Sequence, residues 1–260
     1  MSILTEIVED VRRRIEKEKE PSSSNDDTRN YDRRSLKRSI IDFPGVSVIG
    51  ELKKASPSAG RIRSEFEIEE LADLLSGGGA RAISVLTEPN FFDGGLEYLS
   101  IVRAKVDIPI LRKDFIVDEY QLHRSAAMGA DAVLLIAEVL GEELERYVKL
   151  AHRLGLETLV EAADEEHVKL AEISGTDLIG INNRDLNTMK VDLERTKKLV
   201  EFTSEDSIVV SESGIETRED VERVLGWGAD AVLVGTALMS SCDVQGKTKE
   251  LVYGDVYGKD

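Results

Sequence analysis

Five charged residues stand at the ends of short apolar runs, where they could carry acid–base chemistry. They are Glu51, Lys53, Lys113, Glu161 and Glu212. A lysine among carboxylates suits general acid catalysis, because burial and neighbouring charges decide whether it holds or donates its proton. The alternative for any single pair is an ordinary ion pair that caps the core. Since each unpaired buried charge costs several kcal/mol, a convergent set of five favours catalysis.

Further polar and aromatic residues follow runs of the same kind. Asn182 and Arg184 lie at the end of one run and bring an amide and a guanidinium. Phe92 and Phe115 lie just after two others. Loop aromatics near a site can hold a planar ring, and packing in the core is the alternative.

Eight short β-branched or apolar runs predict the strands that must bring these residues together. The predicted strands are Val46–Leu52, Ala82–Leu86, Ile108–Lys113, Ala132–Ile136, Glu157–Ala162, Leu178–Asn182, Ile208–Glu212 and Ala231–Val234. From Leu52 to Val234 the seven intervals average 26 residues, which leaves room for a strand, a loop and a helix in each unit. This alternation predicts parallel strands.

A repeated glycine pattern bears on how these strands are arranged. Gly79, Gly129, Gly175 and Gly228 lie just before every second strand, at intervals of 50, 46 and 53 residues. Each is expected to end the preceding helix in a left-handed cap. The repeat favours the α/β class and a closed (β/α)8 TIM barrel. An open doubly wound sheet is the alternative, which the lack of a G-x-G-x-x-G motif after any strand weakens.

In a closed barrel the C-terminal strand ends meet at one mouth, so the charged residues converge there. The same end would hold a phosphate group, because Gly214 and Gly235 follow the last two strands and lead toward helix N-termini. Bare backbone N–H groups can approach an anion at such turns. Ser56 joins them from strand one, the neighbour of strand eight. Simple turn formation is the alternative.

An additional helical segment precedes the barrel. Four apolar residues share one helical stripe there: Leu4, Val8, Val11 and Ile15. The stripe predicts a helix over residues 3–20, followed by a Pro- and Ser-rich linker from Pro21 and a short helix. We therefore divide the chain into an N-terminal helical extension and linker, 1–44, and a barrel, 45–260, within a single domain overall.

Composition excludes several partners. The net charge of −17, from 34 Lys and Arg against 51 Asp and Glu, opposes binding to nucleic acid or to an anionic membrane. No apolar run reaches the roughly 18 residues of a membrane span, and the N-terminus lacks the order of a signal peptide, so we expect a cytoplasmic protein. Cys242 and three histidines are too few for a metal site, and no cofactor motif is present.

Six motifs, in order along the chain, resemble those of the indole-3-glycerol phosphate synthase family. They are Glu51–Ser58, Thr87–Phe92, Leu111–Val117, Leu159–Glu161, Gly180–Leu186 and Ser211–Ile215. This family closes the indole ring in tryptophan biosynthesis. The resemblance implies a barrel whose mouth is covered by an N-terminal helical segment, and a carboxy-lyase that needs no metal and no cofactor.

The resemblance also implies a phosphorylated small-molecule substrate, 1-(2-carboxyphenylamino)-1-deoxyribulose 5-phosphate, which loses CO2 and water as the ring closes. One group of residues would lie at its phosphate: Ser56, Ser213, Gly214, Gly235 and Thr236. A second group would wall the pocket for its aromatic ring: Phe92, Phe115 and Leu134.

Catalytic roles follow from the same resemblance. Lys113 corresponds to the general acid that protonates the ribulose carbonyl oxygen, and Glu161 to the general base of the dehydration. Lys53 would hold the substrate carboxylate, and Glu51 would position Lys113 or Lys53. The division of the acid steps between the two lysines stays open. Three further residues would orient reacting groups or the catalytic lysine: Asn182, Arg184 and Glu212.

Two other interpretations stay open beside this one. Another phosphate-binding barrel of the pathway, phosphoribosylanthranilate isomerase or the tryptophan synthase α-subunit, should lack the set of two lysines and three glutamates. A catalytically silent barrel could instead be a scaffold for other tryptophan-pathway enzymes. Such a scaffold has no reason to keep Lys113 and Glu161, whose burial is costly.

Overall fold

Eight parallel strands close into a barrel in the computed structural model, which describes residues 2–19, 31–185 and 188–254. The strands, β1 to β8, are Ser47–Leu52, Ala82–Leu86, Ile110–Lys113, Ala132–Ile136, Glu157–Ala162, Leu178–Asn182, Val209–Glu212 and Ala231–Val234. Each pairs in parallel with the next, and β8 pairs back with β1. The predicted (β/α)8 TIM barrel is confirmed, and the open doubly wound sheet is wrong.

Each of the eight strands ends at the residue that the sequence predicted. Three of them begin slightly later than predicted, namely β1, β3 and β7. In β3 the reason is Pro109, which has no backbone N–H to donate to a neighbouring strand, so the strand begins at Ile110 and not at Ile108. β1 and β7 begin one residue late, at Ser47 and Val209, where their first ladder partners are found.

Helices alternate with the strands and cover the outside of the barrel. Within the described ranges the α-helices are α1 Ile3–Glu18, α2 Leu36–Ile41, α3 Ile68–Gly77, α4 Pro89–Phe92, α5 Tyr98–Lys105, α6 Glu119–Ala127, α7 Ala137–Leu140, α8 Leu144–Arg153, α9 Glu165–Ser174, α10 Glu194–Val200, α11 Arg218–Gly226, α12 Thr236–Ser240 and α13 Val244–Tyr253. The four repeated glycines have φ of +97° at Gly79, +88° at Gly129, +76° at Gly175 and +107° at Gly228. The predicted left-handed caps are confirmed.

Side chains alternate between two apolar layers along each strand, as the period of a strand requires. In β1, Val48 packs outward against the helices, whereas Ile49 packs inside the barrel. In β4, Val133 and Leu135 face outward and Leu134 faces inward. The interior layer is apolar at the bottom and becomes polar toward the C-terminal strand ends, which is where the site lies.

Helix α1 lies across the mouth of the barrel. Its buried residues are Leu4, Ile7, Val11 and Ile15, all of which pack with the interior layer. The fourth member of the predicted stripe, Val8, packs against the same layer but is only half-buried. Two polar contacts join this segment to the helices that follow β2 and β3. Asn90 Nδ2 donates to Asp10 at 2.6 Å, and Lys19 Nζ pairs with Asp118 at 2.5 Å.

Helix α2 lies at the opposite end of the barrel, as the short helix predicted before residue 44. Its buried Leu36 and Ile40 join the interior layer, and Ser47 Oγ, at the start of β1, donates to the Ile40 carbonyl. The barrel is thus closed by a helix at each end. The predicted linker from Pro21 to Asp27 and the last residue of one motif, Leu186, lie outside the described residues.

Candidate active site

A cavity of about 300 Å³ opens at the C-terminal ends of the strands, beneath α1. All of the side chains and glycines predicted as site residues contribute to its lining: Glu51, Lys53, Ser56, Phe92, Lys113, Phe115, Leu134, Glu161, Asn182, Arg184, Glu212, Ser213, Gly214, Gly235 and Thr236. Strand alternation explains the convergence, since the inward residues at the upper end of each strand face the same space.

Lys113 is the centre of the polar layer. Its ammonium group pairs with Glu212 Oε2, from β7, and lies 3.5 Å from Glu161 Oε2, from β5. Asn182, at the end of β6, donates from Nδ2 to Glu161 Oε1 at 3.0 Å. Both carboxylates are almost fully buried, whereas the Lys113 side chain keeps 16% of its surface exposed to the cavity.

Lys53 and Glu51 form a second pair at the end of β1. Lys53 Nζ lies 2.6 Å from Glu51 Oε1, and the carboxylate is buried. Gly235, at the end of the neighbouring β8, leaves the space for this pair, because a Cβ there would collide with Glu51 and approach Lys53. Glu51 thus contacts Lys53, and its charge also acts on Lys113, so the structure links it to both lysines.

The surroundings raise the pKa of two of these groups and lower the pKa of a third. Burial would lower the pKa of the Lys113 ammonium, but Glu212, Glu161 and Glu51 outweigh it and raise that pKa above its ordinary value. Burial would raise the pKa of Glu51, but Lys53 and Lys113 lower it overall. Burial raises the pKa of Glu212 to about 7 against the opposing charge of Lys113. At neutral pH the site thus holds a charged donor, a charged carboxylate and a carboxyl group close to its titration point.

An apolar wall faces this charged layer. Phe92 and Phe115 stand with ring centroids 6.0 Å apart and planes tilted by 36°, and Leu134 lies in the interior layer nearby. Phe92 is the last residue of α4, which follows β2, and Phe115 lies in the loop after β3. The cavity therefore has an apolar side, formed by this wall, and a charged side, formed by the lysine–glutamate pairs.

Glycines and hydroxyl groups form the other side of the cavity. Ser213 and Gly214, after β7, have φ of +68° and +80°, and Gly235 and Thr236 follow β8. Ser56 lies in a two-residue ladder, Ala55–Ser56 against Gly60–Arg61, that follows β1. Helix α12, which begins at Thr236, has only five residues and therefore only a small helix dipole. The donors that this side offers are local backbone N–H groups and the hydroxyl groups.

Arg184 belongs to a loop that is folded back on itself. Its backbone N–H donates to Asn182 Oδ1 at 3.0 Å, and its Nη1 donates to the Met189 carbonyl at 3.1 Å. An isolated bridge joins Arg184 to Val191. These contacts join Arg184 to Met189 and Val191, which line the cavity beside it.

Other residues of the site were missed by sequence reasoning. Ile3, Leu4 and Ile7 of α1 line the cavity, and the apolar stripe of α1 was the signal that could have found them. Gly180, in β6, is packed against Glu212 so closely that a Cβ would collide with the carboxylate. No sequence signal marked this contact, because it depends on how neighbouring strands are staggered.

The described part of the chain lacks two kinds of feature, namely a metal-binding cluster and a membrane-spanning helix. Among residues 2–19, 31–185 and 188–254, no group of three or more His, Cys, Asp or Glu side chains is arranged to hold a metal ion. Within the same ranges, every helix is too short or too polar to cross a bilayer.

Fold and site together define a (β/α)8-barrel enzyme whose mouth carries a buried acid–base cluster. The family model for indole-3-glycerol phosphate synthase matches residues 4–251. The chain therefore belongs to the indole-3-glycerol phosphate synthase family.

Relatives with that name extend the match over most of the chain. An indole-3-glycerol phosphate synthase of Methanopyrus kandleri is 46% identical over 253 residues, which cover 96% of this chain and 97% of the relative. One of Thermoanaerobacter pseudethanolicus is 44% identical over 215 residues, 83% of each chain. One of Clostridium acetobutylicum is 42% identical over 246 residues, 93% of this chain and 94% of the relative.

Solved structures that are more distant share the barrel. A thiamine phosphate pyrophosphorylase from Pyrococcus furiosus superposes with a TM-score of 0.62 at 23% identity, over 84% of this chain and 96% of that chain. A 3-hexulose-6-phosphate synthase from Salmonella typhimurium superposes with a TM-score of 0.66 at 16% identity, over 79% and 96%. At these identities the likeness supports the fold alone.

Proposed function

We propose that this chain converts 1-(2-carboxyphenylamino)-1-deoxyribulose 5-phosphate to indole-3-glycerol phosphate, with loss of CO2 and water. Family membership supports the reaction. The observation that carries the assignment to this cavity is the Lys113 ammonium, held between Glu161 and Glu212 at the mouth and still open to the cavity.

In the first step the ring carbon that bears the carboxylate attacks the ribulose carbonyl carbon. Lys113 donates a proton to the carbonyl oxygen, which would otherwise develop a negative charge. Its raised pKa keeps it charged at neutral pH, so it is ready to stabilise that charge. CO2 then leaves, and the electron pair of the broken carbon–carbon bond restores the aromatic ring. The reaction therefore supplies its own electron sink.

In the second stage the new hydroxyl group leaves as water and the five-membered ring becomes aromatic. This requires one acid to protonate the leaving hydroxyl and one base to remove a proton from the carbon next to nitrogen. Glu161 is the base in our assignment, and Asn182, which donates to Glu161 Oε1, holds it in place. Lys53 and Lys113 are the two candidates for the acid of this step.

The rest of the cavity places the substrate. Its aromatic ring packs on the wall of Phe92, Phe115 and Leu134, where burying apolar surface is favourable by about 25 cal/mol per Å². Its carboxylate pairs with Lys53. Its phosphate lies among the backbone N–H groups and hydroxyls on the other side: Ser56, Ser213, Gly214, Gly235 and Thr236.

Three charged side chains complete the assignment. The Glu212 atom Oε1 is buried and has no hydrogen-bond partner among the described residues, so a substrate hydroxyl that donates to it would relieve an unfavourable state. Arg184, at the rim, orients a second hydroxyl. Glu51 pairs with the Lys53 ammonium group and holds it in place.

The experiment that tests this function supplies the carboxyphenylamino-deoxyribulose phosphate to purified protein, and follows indole fluorescence and release of CO2. We expect both signals to rise together in equal amounts. The matched control is phosphoribosylanthranilate, the substrate of the rival isomerase, which should stay unchanged. Conversion of the control compound, without any indole signal from the first, would contradict the proposal.

From the sequence we also propose a cytoplasmic location and an association with other enzymes of tryptophan biosynthesis. The net charge of −17 supports the further proposal that the chain binds neither nucleic acid nor membranes.

A further inference from the structure

Four buried polar side chains form a hydrogen-bonded cluster behind the end of β3, on the side away from the charged layer. They are Thr87, Arg112, Asp114 and Gln121, each at most 2% exposed, and we call them the β3 clamp. Arg112 and Asp114 are the neighbours of Lys113 in the chain. Asp114 reaches the lining of the mouth cavity, whereas the other three members face a separate cavity.

Asp114 is the acceptor at the centre of the β3 clamp. Its Oδ2 accepts hydrogen bonds from Thr87 Oγ1 at 2.6 Å and from Arg112 Nη2 at 2.7 Å. Arg112 Nε donates to Thr87 Oγ1 at 3.0 Å, which closes a triangle of three bonds. Asp114 Oδ1 accepts from the backbone N–H of Phe115 at 2.8 Å. The carboxylate thus holds the residue that directly follows it.

Gln121, on α6, holds the other side of the same loop. Its Nε2 donates to the Phe115 carbonyl at 3.0 Å, and its Oε1 accepts from Val117 N at 2.8 Å. The Thr87 backbone N–H donates to the Lys113 carbonyl at 3.1 Å. The peptide groups on both sides of Phe115, and the one after Lys113, are therefore all fixed by members of the β3 clamp.

We propose that the β3 clamp positions the Lys113 ammonium and the Phe115 ring for the ring-closing reaction. This inference rests on the proposed function. Lys113 must reach carboxylates on β5 and β7 while Phe115 walls the ring pocket, so both depend on the backbone path at the end of β3. A misplacement of about 1 Å can cost roughly 100-fold in rate, which makes such a device consequential. Thr87 and Gln121 act through these two residues and are positioning residues.

The test compares Thr87→Val with Thr87→Ser. Valine keeps the shape of threonine but removes the hydroxyl that joins Arg112 to Asp114, whereas serine keeps the hydroxyl. We expect kcat of Thr87→Val to fall by about 10- to 100-fold with little change in KM, and kcat of Thr87→Ser to stay near wild type. Both are measured by indole fluorescence, well below the melting temperature of each variant.

Thr158→Val is the matched control. Thr158 is also fully buried, and its hydroxyl bonds to Thr176 and to Asp177 Oδ2 near the N-terminal end of β5, far from the mouth. We expect a loss of melting temperature similar to that of Thr87→Val, and an unchanged kcat. This separates positioning from a merely structural role.

A second variant covers the case in which Thr87→Val does not fold. Gln121→Glu keeps the acceptor for Val117 N but loses the donor to the Phe115 carbonyl, and it lies outside the mouth lining. We expect it to lower kcat in the same way.

A measurement that does not depend on turnover separates failure of the β3 clamp inference from failure of the proposed function. In protein labelled with ¹³C at lysine Cε, the Lys113 resonance is the one lost in Lys113→Arg. We expect Thr87→Val to shift this resonance and Thr158→Val to leave it in place. If wild type forms no product, the proposed function fails, and the resonance alone decides on the β3 clamp. Wild-type kcat together with an unshifted Lys113 resonance in Thr87→Val and Gln121→Glu would overturn the inference.

Discussion

At the scale of single residues, the central contact of the site is the ion pair between Lys113, on β3, and Glu212, on β7. The Lys113 side chain needs a charged partner to stay protonated in a buried layer. Glu212 supplies that partner, with its own pKa raised to about 7 by burial. The charge on Glu212 is therefore sensitive to pH near neutrality, whereas the charge on Lys113 is not.

A pH profile tests this difference. Glu212 gains its charge as pH rises through about 7, so we expect kcat/KM to rise across that region, and Glu212→Gln to remove this limb and lower the plateau. Glu51→Gln is the matched control, because Lys53 and Lys113 lower the pKa of Glu51. The limb should persist in this variant and move toward lower pH, since the charge of Glu51 contributes to the raised pKa of Glu212.

The substrate phosphate also titrates near pH 6, so the comparison between variants decides the outcome. A limb near pH 7 that persists unchanged in Glu212→Gln would contradict the assignment.

The types of the site residues could be predicted from the sequence, but their pairings could not. Glu51 could serve Lys53 or Lys113 as far as the sequence is concerned, and the structure pairs it with Lys53. The stagger of the strands decides which inward side chains meet across the barrel, and a single sequence does not specify it. The contact of Gly180 with Glu212 depends on the same stagger.

At the scale of elements, α1 is the helix whose docking completes the cavity. Its buried face supplies Ile3, Leu4 and Ile7 to the lining, while Val11 is fully buried beyond them. A helix of this length has little stability in isolation, so apolar packing on the barrel holds it in place. Loss of that packing would open the site to water without removing any charged residue.

Val11→Asp tests the role of α1. An unpaired carboxylate at a fully buried position costs several kcal/mol, so we expect α1 to leave the mouth. KM should rise by about tenfold, since losing roughly 50 Å² of apolar contact with the substrate costs about 1.3 kcal/mol at 25 cal/mol per Å². The measurement is steady-state kinetics together with circular dichroism.

Thr5→Asp, on the exposed side of the same helix, is the matched control and should keep wild-type KM. An unchanged KM in Val11→Asp would show that α1 contributes nothing to substrate binding.

The elements themselves were largely predictable because two periodicities govern them. The alternation of side chains along a strand, together with the polar residues that end each apolar run, located the C-terminal ends of all eight strands. The start of β3 was predicted too early because Pro109 has no backbone N–H. In α1, the predicted stripe left out Ile7, which is buried, and included Val8, which packs on the barrel but is half-buried. Both residues are apolar, and only the docking angle of the helix on the barrel decides how far each one is covered.

At the scale of the whole molecule, closure of the barrel brings the predicted residues into one cavity. The glycine repeat allowed this closure to be predicted, since the same turn recurs before β2, β4, β6 and β8. The depth of the cavity and its coverage by α1 depend on packing between distant parts of the chain, which no local pattern reports.

The most direct test of the account is the turnover of Lys113→Ala beside that of Lys53→Ala. A general acid contributes about 10²- to 10⁴-fold to a rate, so we predict that Lys113→Ala lowers kcat by at least 100-fold while the fold is retained. Lys53→Ala should chiefly raise KM, because its assigned partner is the substrate carboxylate. Lys149→Ala, on the exposed surface of α8, should behave as wild type. Near-normal kcat in Lys113→Ala would contradict the central claim.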